Sequence, residues 1–158
     1  MRTSLEVRSK LNQPAQQAPL RARSIQTDLP GDRLRGACIG ACYESALAIA
    51  QCSRRRLDQA EANFERSLWL SRNCADACLG VARMLSRGSE ADPGRMPSIL
   101  DACSLACRMF REACESDEFS LQVFRPAVRA SRMCEAACAR LRRAIETEAA
   151  LAGRDLPD

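Results

Sequence analysis

The sequence predicts an all-α protein, an antiparallel up-down four-helix bundle, and three observations carry that reading. Aromatic residues make up only 4% of the 158 residues and β-branched residues are sparse, while the strong helix formers Ala, Leu, Arg and Glu abound. Four helical stretches follow residue 33, and turn-forming residues mark the end of the second at Gly88 and the start of the third after Asp92-Pro93-Gly94. Within each stretch, cysteine and aliphatic residues recur in steps of four and three, the rhythm of helices that share one core.

Residues 1–33 carry Pro14, Pro19, Pro30 and Gly31 among Gln, Ser and Arg without sustained periodicity, and are expected to form a flexible leader. The leader holds no apolar run long enough for a secretory signal or a membrane span, so the expectation is a cytoplasmic protein that neither enters a membrane nor leaves the cell.

The first helix is expected at 34–54. Its junction with the second, Ser53 to Asp58, lacks both Gly and Pro, so a single helix from 34 to 87 is an alternative. Continuing the apolar seam past Cys52 puts Arg56 and Gln59 where a core should be, which argues for a turn there. The second helix, 58–87, ends where Gly88 suits a C-cap, and the third, 96–116, follows the breaker Asp92-Pro93-Gly94. The fourth is expected at 119–150, kinked at Pro126 or starting near it, because a proline inside a helix removes a hydrogen bond. Residues 151–158 form a C-terminal tail.

The net charge of +4 rests almost wholly on arginine, Lys10 being the sole lysine, and acids are interspersed after Asp28. A nucleic-acid binder more often concentrates a basic stripe beside stacking aromatics, so no nucleic-acid partner is expected.

Ten cysteines with no histidine, in a reducing compartment, point to metal or redox chemistry more than to disulfides. Eight of them form four Cys-x-x-x-Cys pairs, one per helix: Cys38/Cys42, Cys74/Cys78, Cys103/Cys107 and Cys134/Cys138. Residues i and i+4 share a helix face with Cβ atoms about 5–6 Å apart, close enough for two sulfurs to converge on one ion. A disulfide prefers Cβ atoms near ~3.8 Å, so the spacing favours shared ligation over cross-linking.

The pairs lie on the core seam, as their continuations show: Cys74, Cys78, Val81, Leu85; Cys103, Cys107, Phe110, Cys114; Cys134, Cys138, Leu141, Ile145; and Cys38, Cys42, Ser45, Ile49, Cys52. In an up-down bundle, residues equally far from a turn share a height. Cys38 and Cys74 are level across the first turn, Cys74 with Cys107 and Cys78 with Cys103 across the second, and Cys103 with Cys134 across the third. The eight thiols are therefore expected in one layer about 11 Å thick at roughly 5.4 Å per turn, with Cys138 projecting slightly beyond it. Cys52 and Cys114 lack an i±4 partner and fall outside the layer, as accessory ligands or as ordinary buried cysteines.

Soft thiolates without imidazole select Cu(I), zinc or iron–sulfur clusters. Zinc sites more often use loop knuckles and iron–sulfur sites tighter cysteine runs, whereas rigid helical pairs suit an ion content with two or three sulfurs. Cu(I) leads, with zinc and an iron–sulfur cluster as alternatives. Met84, Met109 and Met133 are candidates for weak thioether contacts, although a bundle methionine is more often packing. The plain structural alternative, cysteine standing in for alanine in a small-residue core, explains one such pair better than four level ones.

The segment Asn73-Cys74-Ala75-Asp76-Ala77-Cys78, followed by Met84-Leu85-Ser86-Arg87-Gly88-Ser89, resembles the Asp-Cys-Ala-Asp-x-Cys helix and Arg-Gly-Ser ending of the cysteine-rich four-helix-bundle copper-binding family, which includes the bacterial copper storage proteins. Asp101-Ala102-Cys103 to Cys114 and Cys134-Glu135-Ala136-Ala137-Cys138 are similar to its third and fourth helices, and the likeness covers about residues 34–146. The resemblance implies a bundle storing Cu(I) on core cysteines, often as a homo-oligomer, with no catalysis. Family members usually continue cysteines where this chain has Ser45, Ile49, Ser67, Val81, Phe110, Ser131, Leu141 and Ile145, and carry histidines near Phe124, Ala127 and Val128. The expectation is thus a smaller cluster on eight thiols serving copper sequestration, buffering or storage; the alternative is a non-metal structural bundle derived from the same family. An enzyme is not expected, because a cysteine nucleophile would lack its usual base and its access to substrate.

Overall fold

A computed structural model describes residues 30–54, 62–87 and 94–153. They form four helices: α1 (Pro30–Ser53), α2 (Ala62–Ser86), α3 (Met96–Glu115) and α4 (Glu118–Ala152). The all-α expectation holds, and the described residues contain no strand.

Helix α1 starts four residues before the expected boundary, so residues 30–33 belong to the bundle and not to the leader. Pro30 suits a first helical position because its missing N–H would have no intrahelical partner there, and Asp32 complements the positive end of the helix dipole. The expected flexible leader otherwise lies outside the described residues. So do residues 58–61, the expected start of the second helix, as well as Gly88 and Pro93. α1 and α2 are separate helices, as the failure of the seam at Arg56 requires.

α3 opens with Pro97 in its first turn and ends at Glu115. The junction to α4 is short because Asp117 caps the next helix: its carboxylate accepts from the Ser120 backbone N–H at 2.8 Å. The nearby Ser120 side chain foremost, together with that backbone bond, holds the Asp117 carboxyl below its ordinary range.

α4 runs unbroken through Pro126, so the helix does not begin there. A proline at this depth forfeits the bond to the Gln122 carbonyl, at a cost of ~3 kcal/mol. Pro126 and Gln122 are both exposed, so water can reach the freed carbonyl, while Phe124, Ala127 and Val128 are buried on the opposite face and hold the turn in place. The helix continues to Ala152 with Gly153 at its cap, so residues 151 and 152 are helical and not tail.

Each of α1 and α3 packs against both α2 and α4, with α2 and α4 meeting across the diagonal. Cross-helix pairs show the antiparallel sense: Cys38, early in α1, meets Cys138, late in α4, while Cys42 meets Cys134 and Ser45 meets Ser131 further along. Ion pairs seal the α3–α4 seam outside. Arg108 and Arg111 both hold Glu135, at 3.1 and 3.2 Å, and Arg132 reaches Glu115 at 2.9 Å. Pairs this near the surface set alignment more than stability.

The core is polarised along its axis. All four phenylalanines gather where α2 and α4 begin: Phe64 meets Phe119 edge-on at 5.3 Å and Phe124 in a stack at 5.8 Å, and Phe110 meets Phe124 edge-on at 5.4 Å. At the other end Val81, Leu85, Met96, Leu100 and Leu141 are buried. The eight paired cysteines lie between these two apolar regions.

Candidate metal centre

The four Cys-x-x-x-Cys pairs project inward because each sits on the apolar seam of its helix, and all eight cysteines are at most 1% exposed. Small buried residues beside them, Ala46, Ala82 and Ala137, let the backbones approach closely enough for sulfurs from different helices to touch. None of the ten cysteines is in a disulfide.

The sulfurs form one connected network. Cys38 Sγ lies 3.6 Å from Cys138 Sγ, and Cys42 Sγ 3.5 Å from Cys134 Sγ, across the α1–α4 interface. Across α2–α3, Cys74 donates to Cys107 at 3.6 Å, Cys78 lies 3.7 Å from Cys107, and Cys103 donates to Cys78 at 3.9 Å. Cys78 and Cys134, 3.7 Å apart on the diagonal helices, join the two halves.

Two groups of four thiols are tight enough to hold an ion, each with all its sulfurs within 4.8 Å of one another: Cys42, Cys103, Cys134 and Cys138, and Cys78, Cys103, Cys107 and Cys134. Cys103 and Cys134 belong to both. Cys38 and Cys74 extend the groups at their edges through Cys138 and Cys107.

The pairings across the second and third turns agree with the level heights expected from the sequence, but Cys38 is not level with Cys74 across the first: Cys38 meets Cys138, whereas Cys74 lies against Ser131, seven residues earlier on α4. Cys138 does not project beyond the layer as expected; it faces Cys38 and completes one of the two groups. The reason is ring closure: α4 returns beside α1, so the first and last helices become neighbours and supply the shortest sulfur contact of the centre, Cys42 to Cys134. Sequence reasoning paired only consecutive helices and missed this.

Electrostatics follow from many thiols sharing little water. Cys38 is pushed up to about 12, first by its contact with Cys138. Contacts to Cys103 foremost, together with burial, raise Cys42, Cys107 and Cys134. Cys74 is also raised, since the pull of Cys107 downward is outweighed by Cys78 and burial. Cys78 and Cys138 go the other way, because neighbouring thiols, Cys103 first, donate to their sulfurs and stabilise the thiolate.

Beyond the layer the core changes character. Ser45 and Ser131 are fully buried and their hydroxyls pair at 3.0 Å, with the Ser131 Oγ 3.8 Å from Cys74 Sγ. Cys52 and Cys114 are buried but belong to neither four-thiol group, and burial foremost pushes Cys114 up to about 12. Of the candidate thioethers, Met109 and Met133 are exposed on the outside of the bundle and Met84 is half-buried. The methionine packed inside is Met96, which the seam foretells when read backward from Cys103 through Leu100.

No helix among the described residues is long and apolar enough to cross a membrane. The family described as Csp, copper storage protein, matches residues 32–152. Among solved structures, a mutant of Streptomyces lividans Ccsp is similar, with 26% identity and a TM-score of 0.65, covering 72% of this chain and 95% of that one. None of the curated proteins matches the chain significantly.

Proposed function

The chain belongs to the copper storage protein family, and from that premise we propose that it holds Cu(I) as a single compact cluster on Cys38, Cys42, Cys74, Cys78, Cys103, Cys107, Cys134 and Cys138. The observation that carries this reading is the sharing of Cys103 and Cys134 by both four-thiol groups. A sulfur common to two groups is placed to bridge two ions, and bridging thiolates suit a soft monovalent ion that accepts two or three sulfurs.

Eight thiols used in this way take up about four Cu(I), since each ion needs two or three sulfurs and bridging sulfurs count twice. Each bound thiol gives up its proton, so loading releases protons and tightens as pH rises. Positive ions offset the thiolate charge that the dry core would otherwise exclude. The role is sequestration, buffering or storage in the cytoplasm. No turnover is involved: the chain has no histidine to serve as a base, and its paired thiols are buried.

The test is titration of reduced protein with Cu(I) against a competing chelator under anaerobic conditions. Retention of several ions per chain supports the reading; less than about one would sink it. Zinc competition in the same assay decides metal identity, because a tetrahedral zinc with bonds of about 2.3 Å could occupy either four-thiol group singly. Replacing Cys74 and Cys78 together by serine lowers the capacity if these sulfurs are ligands.

A further inference from the structure

We propose that Ser45, Ser131 and Phe110 form a floor that stops the metal cluster and thereby sets its size; the inference rests on the Cu(I) reading above. Three residues past each thiol pair, on the side away from Val81 and Leu85, the seams of α1, α3 and α4 present Ser45, Phe110 and Ser131 in place of sulfur. All three are fully buried. The floor is continuous with the cluster, because Ser131 Oγ lies 3.8 Å from Cys74 Sγ and 3.0 Å from Ser45 Oγ.

A neutral hydroxyl is a hard, weak donor that a soft monovalent ion rejects, and these two hydroxyls are already hydrogen-bonded to each other. The phenyl ring of Phe110 offers no donor and is fixed edge-on against Phe124 at 5.4 Å. A thiolate cluster grows only where the next sulfur is within bridging reach. Beyond the floor, Cys114 stands seven residues along α3 from Cys107, or about 10.5 Å at 1.5 Å per residue. Cys52 stands ten residues along α1 from Cys42, about 15 Å on the same scale. Neither gap can be bridged through one metal ion, so Cys52 and Cys114 are cut off from the cluster despite lying on the same seams.

The Ser45→Cys/Ser131→Cys variant tests the floor. It places two thiols in contact with each other and one of them beside Cys74, so Cu(I) capacity, read by chelator competition and by native mass spectrometry, rises by about one to two ions per chain. The Ser45→Ala/Ser131→Ala variant, which removes the hydroxyls and adds no sulfur, keeps the capacity of the parent. A folded cysteine variant, verified by its helical circular dichroism and by twelve titratable thiols on denaturation, ten of them native, that gains no copper overturns the inference. A loss of capacity in the alanine variant also overturns it, since the hydroxyls would then be ligands. The parent protein is titrated alongside: several ions there with no gain in the cysteine variant refutes the floor alone, whereas less than one ion in the parent refutes the Cu(I) reading itself.

Discussion

Replacing Cys134 by serine should damage the metal centre far more than replacing Cys38, although the two are equally buried. Cys134 belongs to both four-thiol groups and lies 3.5 Å from Cys42 and 3.7 Å from Cys78. Cys38 belongs to neither and lies 3.6 Å from Cys138. If sulfurs bridge, loss of Cys134 withdraws a ligand from ions in both groups, and capacity falls by about two of about four Cu(I), whereas loss of Cys38 removes at most about one. The substitution is nearly isosteric; an unpartnered buried hydroxyl costs about 1–3 kcal/mol, which lowers the thermal midpoint of the metal-free protein while a domain of ordinary stability stays folded. Anaerobic chelator competition on the two variants and the parent, with thermal unfolding of each metal-free form, gives the comparison. Equal losses from Cys134→Ser and Cys38→Ser would refute the shared cluster and leave four independent thiol pairs.

Phe124→Ala should destabilise the fold by about 3–5 kcal/mol, because it empties the centre of the aromatic end where Phe64 and Phe110 both meet it. Copper capacity should persist in the variant at a temperature where it remains folded, measured by denaturant unfolding and titration. Pro126→Ala should stabilise by about 1–3 kcal/mol as α4 regains the bond to the Gln122 carbonyl, less the conformational freedom restored to the unfolded chain; an unchanged or lower denaturation midpoint contradicts this. Metal-free stability should fall above pH 9: Cys38 and Cys114 keep their protons up to about 12 when folded but lose them near 9.0 when unfolded, so the unfolded chain binds fewer protons in that window. The stability these two contribute is present in full below 9.0 and declines toward 12, as denaturant midpoints measured across that range would show; a flat profile would contradict it.

The sequence alone carried the number of helices, their order and the inward face of each. Those properties are local: a seam of cysteine and aliphatic residues at steps of four and three defines one face of a helix whatever lies opposite. The level heights of Cys74 with Cys107 and of Cys78 with Cys103 were legible too, because a short turn ties the register of consecutive helices. The helix starting at Pro30 was less legible, since proline reads equally as a breaker or as a first helical residue, and packing beside the end of α4 decides between them.

Tertiary structure decided what depends on non-consecutive helices meeting. Closure of α4 onto α1 paired Cys38 with Cys138, Cys42 with Cys134 and Ser45 with Ser131, and the α2–α4 diagonal joined Cys78 to Cys134. No turn length encodes these contacts, because they fix the relative height of chains about a hundred residues apart only after the whole ring has packed. The cysteine pairs were therefore written in the sequence one helix at a time. Their union into one network, with Cys103 and Cys134 common to both groups and a serine pair beneath it, is a property of the folded bundle.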